Sequence, residues 1–201
     1  MLCRASRRPG EGSQSPVRAL WALPTALEVA GVSYPIHADF RDILEIFGVL
    51  QDDSLPEFIR WHVALALFYE GEIPEKNLSE AVAVMADFFR AGRQESGDGP
   101  ALVDWVQDAP LIAADINKAA GQELREKPFV HWWTFLGWFH CIGEGQLSMV
   151  VSLRDKLRRG KKLDDQEREY YRANRSLVER KRSLSPEEQA EKERLEKLLG
   201  S

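Results

Sequence analysis

The stretch from Phe40 to Gly71, FRDILEIFGVLQDDSLPEFIRWHVALALFYEG, decides the fold. In its first part Phe40, Ile43, Leu44, Phe47 and Leu50 recur three and four apart, the period that lays one stripe of an α-helix on a core. Asp39 stands where a side-chain oxygen can take an early backbone N–H, and Asp42 lies in the first turn, where negative charge complements the helix dipole. Ser54-Leu55-Pro56-Glu57 then has the form of a capping box and predicts a second helix that starts there. That helix carries Phe58, Ile59, Trp61, Val63, Leu65, Leu67, Phe68 and Tyr69 on most of its faces, so it is expected at the centre of the molecule. Gly71 and Pro74 end it.

Before this stretch, Ala26-Leu27-Glu28-Val29 and Val32-Ser33-Tyr34-Pro35-Ile36 flank Ala30-Gly31, which predicts a small β-hairpin. After it, Asn77-Leu78-Ser79-Glu80 repeats the cap pattern ahead of a third helix with Leu78, Ala81, Val82, Met85, Phe88 and Phe89 on one face. Gly92 to Pro100 is a flexible loop by composition. A fourth helix is expected from Asp108 as cap, through Pro110, to Gly121, with Leu111, Ile112 and Ile116 inward. A fifth is expected from Phe129 to about Ile142, and a sixth on Leu147, Val150, Leu153 and Leu157, ending near Gly160. Beyond that point Lys, Arg, Glu and Gln dominate; Asp164 with Glu167, and Ser185-Pro186-Glu187-Glu188, mark two further helix starts, both solvated and stabilised by docking.

The reading is a mainly α fold of about six helices with a small N-terminal β-hairpin and a charged helical C-terminal extension. Residues 1–19 are expected as a disordered tail, 20–158 as the helical domain and 159–201 as the extension. The tail is rich in Gly, Ser, Pro and Arg and has no apolar periodicity to offset the entropy of ordering. Arg4, Arg7, Arg8 and Arg18 before Ala19-Leu20-Trp21-Ala22-Leu23 imitate a secretory signal, but Pro24 and Glu28 interrupt its apolar core early.

Composition excludes several functions. With 27 basic against 32 acidic residues the formal charge is -5, which gives no general attraction to nucleic acid. The basic run Lys156 to Lys162 and the Arg180-Lys181-Arg182 triplet have acidic neighbours and read as salt-bridged helix. The longest apolar run, Phe129 to Ile142, contains two histidines and is shorter than the ~18 residues a membrane span needs, so no membrane association is expected. Two cysteines, Cys3 and Cys141, cannot frame a disulfide scaffold, and a reducing compartment fits them.

No catalytic, cofactor or metal site is expected. His37, His62, His131 and His140 form no motif with the scattered carboxylates, and His140 and Cys141 point in different directions on a helix. The histidines and cysteines lack the short paired spacings of closed zinc sites. Gly143-Glu144-Gly145 and Gly97-Asp98-Gly99 lack the residues that follow in phosphate-cradling loops.

The aromatic set is the most distinctive chemistry. Core packing accounts for most of Trp105, Trp132, Trp133, Phe135, Trp138 and Phe139. Yet Trp132 and Trp133 differ by one helical step of ~100°, so a single flank of the core can hardly absorb both along with Trp138 and Phe139. Phe88, Phe89, Trp105, Trp132, Trp133 and Trp138 are therefore the candidate protein-binding residues.

Leu23-Pro24-Thr25, Asp39-Phe40-Arg41, Leu67-Phe68-Tyr69, Asp104 to Ile112 as DWVQDAPLI, and His131-Trp132-Trp133, in that order, resemble the tail-assembly chaperones of long-tailed bacteriophages in the gene-product-fifteen family. The likeness runs from Leu23 to about Arg154; the charged C-terminal part is similar only in character. The resemblance implies a non-enzymatic protein of the host bacterial cytoplasm, absent from the mature virion. It would bind the tape-measure protein, a very long helical chain, and keep it soluble until the tail tube polymerises around it. The tail-tube protein and further copies of the chain, as a homo-oligomer, are the other partners it brings into view.

Two rivals stand beside this reading. Charged C-terminal helices could pack between subunits of a structural virion protein, a tail or connector component retained in the particle. A small hydrolase or nucleic-acid enzyme would instead require His62, His131 or His140 to converge with carboxylates in a pocket.

Overall fold

The computed structural model describes residues 21–91 and 102–180. The tail expected at 1–19, the loop from Gly92 to Pro100 and the helix start at Ser185 lie outside them. The described chain is mainly α, with one two-stranded sheet at its start. Strands β1 (Ala26–Val29) and β2 (Val32–Pro35) pair antiparallel with Val29 opposite Val32. Ala30 and Gly31 both take positive φ, 50° and 77°, the two-residue turn whose twist matches that of the strands. Eight helices follow among the described residues: α1 (Phe40–Leu50), α2 (Glu57–Phe68), α3 (Leu78–Arg90), α4 (Ala109–Ala120), α5 (Trp132–His140), α6 (Gln146–Arg158), α7 (Asp165–Ala173) and α8 (Arg175–Val178).

The short segment between hairpin and α1 ties the body together. Ile36 and Ala38 are buried, and the backbone on either side of them is bonded in two directions. On one side His37 N–H donates to Phe68 O (2.9 Å) and Glu70 N–H to Pro35 O (2.8 Å), fastening the end of α2. On the other, Phe40 N–H donates to Val130 O (3.0 Å) and Trp132 N–H to Ala38 O (2.7 Å), fastening the start of α5. Asp39, 9% exposed, serves both: one carboxylate oxygen accepts Arg41 N–H (2.9 Å) as the α1 cap, the other accepts Val130 N–H (2.7 Å). The cap predicted at Asp39 is therefore present, and the same side chain anchors a segment 91 positions away in sequence.

Four expectations change. The helix expected from Phe129 begins at Trp132, because residues 129–131 run extended to make these bonds. Ser54 does not cap α2; its N–H and hydroxyl both bond Asp52, and the helix starts after Pro56 without a side-chain cap. Neither does the second box form, since Asn77 makes no cap bond and Glu80 reaches out of α3 to accept Ala30 N–H (2.8 Å), lashing the hairpin turn to the helix. Finally, α2 is not central. Ala64, Leu65 and Phe68 are buried, but Phe58 is 71% exposed and Val63 37%.

The core lies where α1, α3, α4, α5 and α6 meet, with Ile43, Ile46, Met85, Ile116, Trp132, Phe135, Val150 and Leu153 essentially sealed from water. Tyr69 joins it, its hydroxyl donating to Ala81 O (2.9 Å), and burial pushes its phenol up to about 12. Gly121 ends α4 in the left-handed region at φ 68°, as its position predicted. At Asp164 the predicted box is complete: Asp164 accepts Glu167 N–H and Glu167 accepts Asp164 N–H.

The charged segment after Gly160 returns to the body. Val178 is 1% exposed, and the carbonyls around it are received by two side chains. Arg154, itself 6% exposed, donates to Val178 O (2.8 Å), Leu177 O (2.7 Å), Leu102 O (2.8 Å) and both carboxylate oxygens of Asp108 (2.6 and 2.9 Å). Those five bonds use all five guanidinium N–H groups. Gln107 adds bonds to Ser176 O, Leu177 O and Glu179 O. Asp108 thus precedes α4 as predicted, but its carboxylate serves Arg154 and Asp104 N–H rather than the helix end.

Candidate protein-binding surface

The paired tryptophans at the start of α5 meet the last turn of α3. A helix leaves its final carbonyls without intrahelical donors. Trp132 Nε1 donates to Phe89 O (2.9 Å) and Trp133 Nε1 to Phe88 O (2.8 Å), so the two indoles satisfy consecutive carbonyls. Ala91, left-handed at φ 51°, closes the same end with a bond to Phe88 O. One helix end thus takes both indole N–H groups, while Trp133, Trp138 and Phe139 stay half-buried, so the flank does not absorb the whole set. The 100° step is accommodated because each indole reaches a different carbonyl on the same helix end.

Ring contacts join five of the six candidate aromatics. Phe88 lies 6.3 Å from Phe89 and 5.7 Å from Trp133 between centroids, Phe47 lies 5.1 Å from Phe89 and 5.6 Å from Trp132, and Trp105 is 6.4 Å from Trp132. Phe88 and Trp132 are buried at 2% exposure, whereas Phe89, Trp105, Trp133 and Trp138 are half-buried at the margin of the core. Phe88 and Trp132 can offer no ring to a partner while the body is closed. Trp105 borders a small apolar crevice of about 140 Å³ with Phe40, Leu44, Ile112, Leu124 and Phe135.

His131 is the one buried histidine of the four, at 3% exposure. Its Nδ1 accepts Trp133 N–H (3.1 Å) as the cap of α5, which leaves the proton on Nε2 to donate to Pro24 O (3.0 Å). Burial lowers its pKa from the ordinary 6.5, with the Pro24 carbonyl partly opposing. As pH falls through 6.5 the unfolded chain takes up a proton that the folded chain refuses, so stability declines until the lower folded value is passed. Thermal melts at pH 7.5 and pH 5.5 are expected to show this loss, and His131→Asn, which keeps a capping side chain, is expected to show less of it. His37, His62 and His140 are exposed on separate elements. Among the described residues no three His, Cys, Asp or Glu side chains are placed to hold a metal ion, and no helix is long and apolar enough to cross a membrane.

Besides scattered exposed side chains such as Trp21, Val106 and Phe129, one helix face is left open, on α2. Successive residues turn about 100°, so Phe58, His62, Ala66, Ile59 and Val63 share an arc of about 140° opposite the buried Ala64 and Phe68. All but Ile59 are exposed, and Ile59 is half-buried. The arc runs into a cleft of about 280 Å³ whose floor and walls include His62, Leu65, Ala66, Ile73 and Leu78, closed at one end by Gly71, Glu72 and Glu75. Sequence reasoning assigned these residues to the centre. The available signal was the pairing of His62 with small Ala66 four residues on, which leaves one side of an otherwise bulky helix thinly covered.

No curated protein and no solved structure matches the chain. The family described as bacteriophage Gp15 protein matches residues 21–179, from the residue before the hairpin lead-in to the end of the docked return, further toward the C-terminus than the short motifs alone reach. With the match spanning hairpin, helices and return alike, the chain belongs to the bacteriophage Gp15 protein family.

Proposed function

We propose that this phage protein is a tail-assembly chaperone, acting without chemistry in the host cytoplasm and absent from the finished particle. Its client is the tape-measure protein, a long helical chain that it covers until tube subunits replace it. The observation that carries the reading is the outer arc of α2, an apolar helix face that the chain's own described residues leave open. A long amphipathic helix exposes an apolar stripe that aggregates in water, and a second helix with a complementary open face covers such a stripe reversibly. Family membership supports the setting in a phage.

Co-expression with the tape-measure protein of the same phage is expected to raise the soluble yield of that protein and to co-purify the two. Unchanged yield with no co-purification would sink the proposal. Mass spectrometry of purified particles tests the remaining part, because a stoichiometric presence of the chain there would make it a structural component.

A further inference from the structure

Resting on the chaperone reading, we infer that the α2 face and its cleft receive a cationic amphipathic helix, one whose apolar stripe is bordered by lysine and arginine. The argument begins with charge. Residues 51–80 hold seven carboxylates against two basic side chains, a net of -5 that equals the formal charge of the entire chain. The acidic excess of the protein is thus concentrated on the stretch that carries the open apolar arc.

The placement is equally uneven. Glu57, Glu70, Glu72 and Glu75 are all exposed, the first at the start of α2 and the other three around its end and the cleft. Of the two basic residues, Arg60 is already engaged, donating to Leu50 O and to Asp53 (both 3.1 Å), so Lys76, next to Glu75 in sequence, is the other cation of this stretch against its exposed glutamates. An apolar strip with Phe58 at one end, a 280 Å³ cleft at the other and carboxylates around it has the anatomy of an interface with a greasy centre and a charged rim. A helix lying along the strip places residues three and four apart on Phe58, Val63 and Ala66 and can send one large side chain into the cleft. Its flanking lysines and arginines then stand over the glutamates, which speeds encounter and rejects acidic helices.

The test uses the full chain and two labelled helical peptides that share one leucine stripe, one flanked by lysine and arginine and the other by glutamate. The cationic peptide is expected to bind at least about tenfold tighter, and its advantage to shrink as salt is raised. Phe58→Glu and Ala66→Arg, both at exposed positions, are expected to weaken it by about tenfold or more while leaving the thermal melt in place. Glu72→Lys with Glu75→Lys is expected to abolish the preference between the peptides. Equal affinity for both peptides, or indifference to the Phe58 and Ala66 changes, would overturn the assignment, as would a wild-type dimer that Phe58→Glu splits, because a second copy would then own the face. The tape-measure co-purification separates the two levels. If the wild-type chain retains that client and the α2 variants retain it equally, only this surface is wrong. If it never retains the client yet prefers the cationic peptide, the surface stands and the chaperone reading falls.

Discussion

Arg154→Ala is expected to lower the free energy of unfolding by about 3–5 kcal/mol, the range for removing one partner of a buried ion pair. The guanidinium is 6% exposed, Asp108 is 1% exposed, and the two are joined by paired bonds of 2.6 and 2.9 Å. Removing the cation leaves the Asp108 carboxylate charged in the interior with only Asp104 N–H still donating to it. It also orphans the carbonyls of Leu102 and Val178 and leaves Leu177 O with Gln107 alone. Arg154→Lys is expected to recover little, since a lysine presents three donors from one point and cannot span two carboxylate oxygens and three carbonyls. Denaturant unfolding followed by tryptophan fluorescence checks both. A loss under about 1 kcal/mol for Arg154→Ala, the value typical of an exposed pair, would show that water reaches the site.

Trp132→Ala is expected to cost a similar ~3–5 kcal/mol, the range for emptying a large aromatic from a core. The ring is 2% exposed and lies against Phe47, Trp105 and Phe135 at centroid separations of 5.6, 6.4 and 5.6 Å. Trp132→Phe separates the two contributions, because it keeps much of the packing while abandoning Phe89 O, and a loss of about 1–3 kcal/mol is expected from that orphaned carbonyl and the lost ring volume. Trp133→Phe, at a half-buried position, is expected to lose less, since Phe88 O retains the Ala91 N–H. Equal losses for the two phenylalanine variants would contradict the distinct roles assigned to adjacent rings.

Helix periodicity was legible wherever one face alone met the core. Phe40 and Ile43 are buried in α1 as their spacing predicted, Leu111, Ile112 and Ile116 are buried in α4, and Gly121 stops it. The hairpin was legible because Gly31 takes at little cost the positive φ that a two-residue turn demands. What escaped depended on long-range partners. Ser54 and Glu80 carry the right side chains for caps, but Asp52 and the Ala30 N–H, nearby only after folding or local turning, take them instead. The extended stretch before Trp132 is apolar enough for a helix, and only its pairing with residues 38–40 straightens it. The α2 helix was misplaced for a related reason. An apolar face left open to solvent carries the same residue types as one buried in the fold, and the composition of Phe58 to Val63 cannot separate the two.

The fastening of the C-terminal return has a consequence for how that segment can vary. Arg154 and Gln107 hold it by peptide oxygens, which every amino acid supplies, and Val178 is the one sealed side chain among its described residues. Position 176 is therefore held by trajectory rather than by identity, whereas Leu177 also packs on the core and Glu179 also accepts bonds from Tyr171 and Arg175. The clasp is portable: another tail that follows the same path, with a valine-sized plug at the right place, would be gripped as firmly.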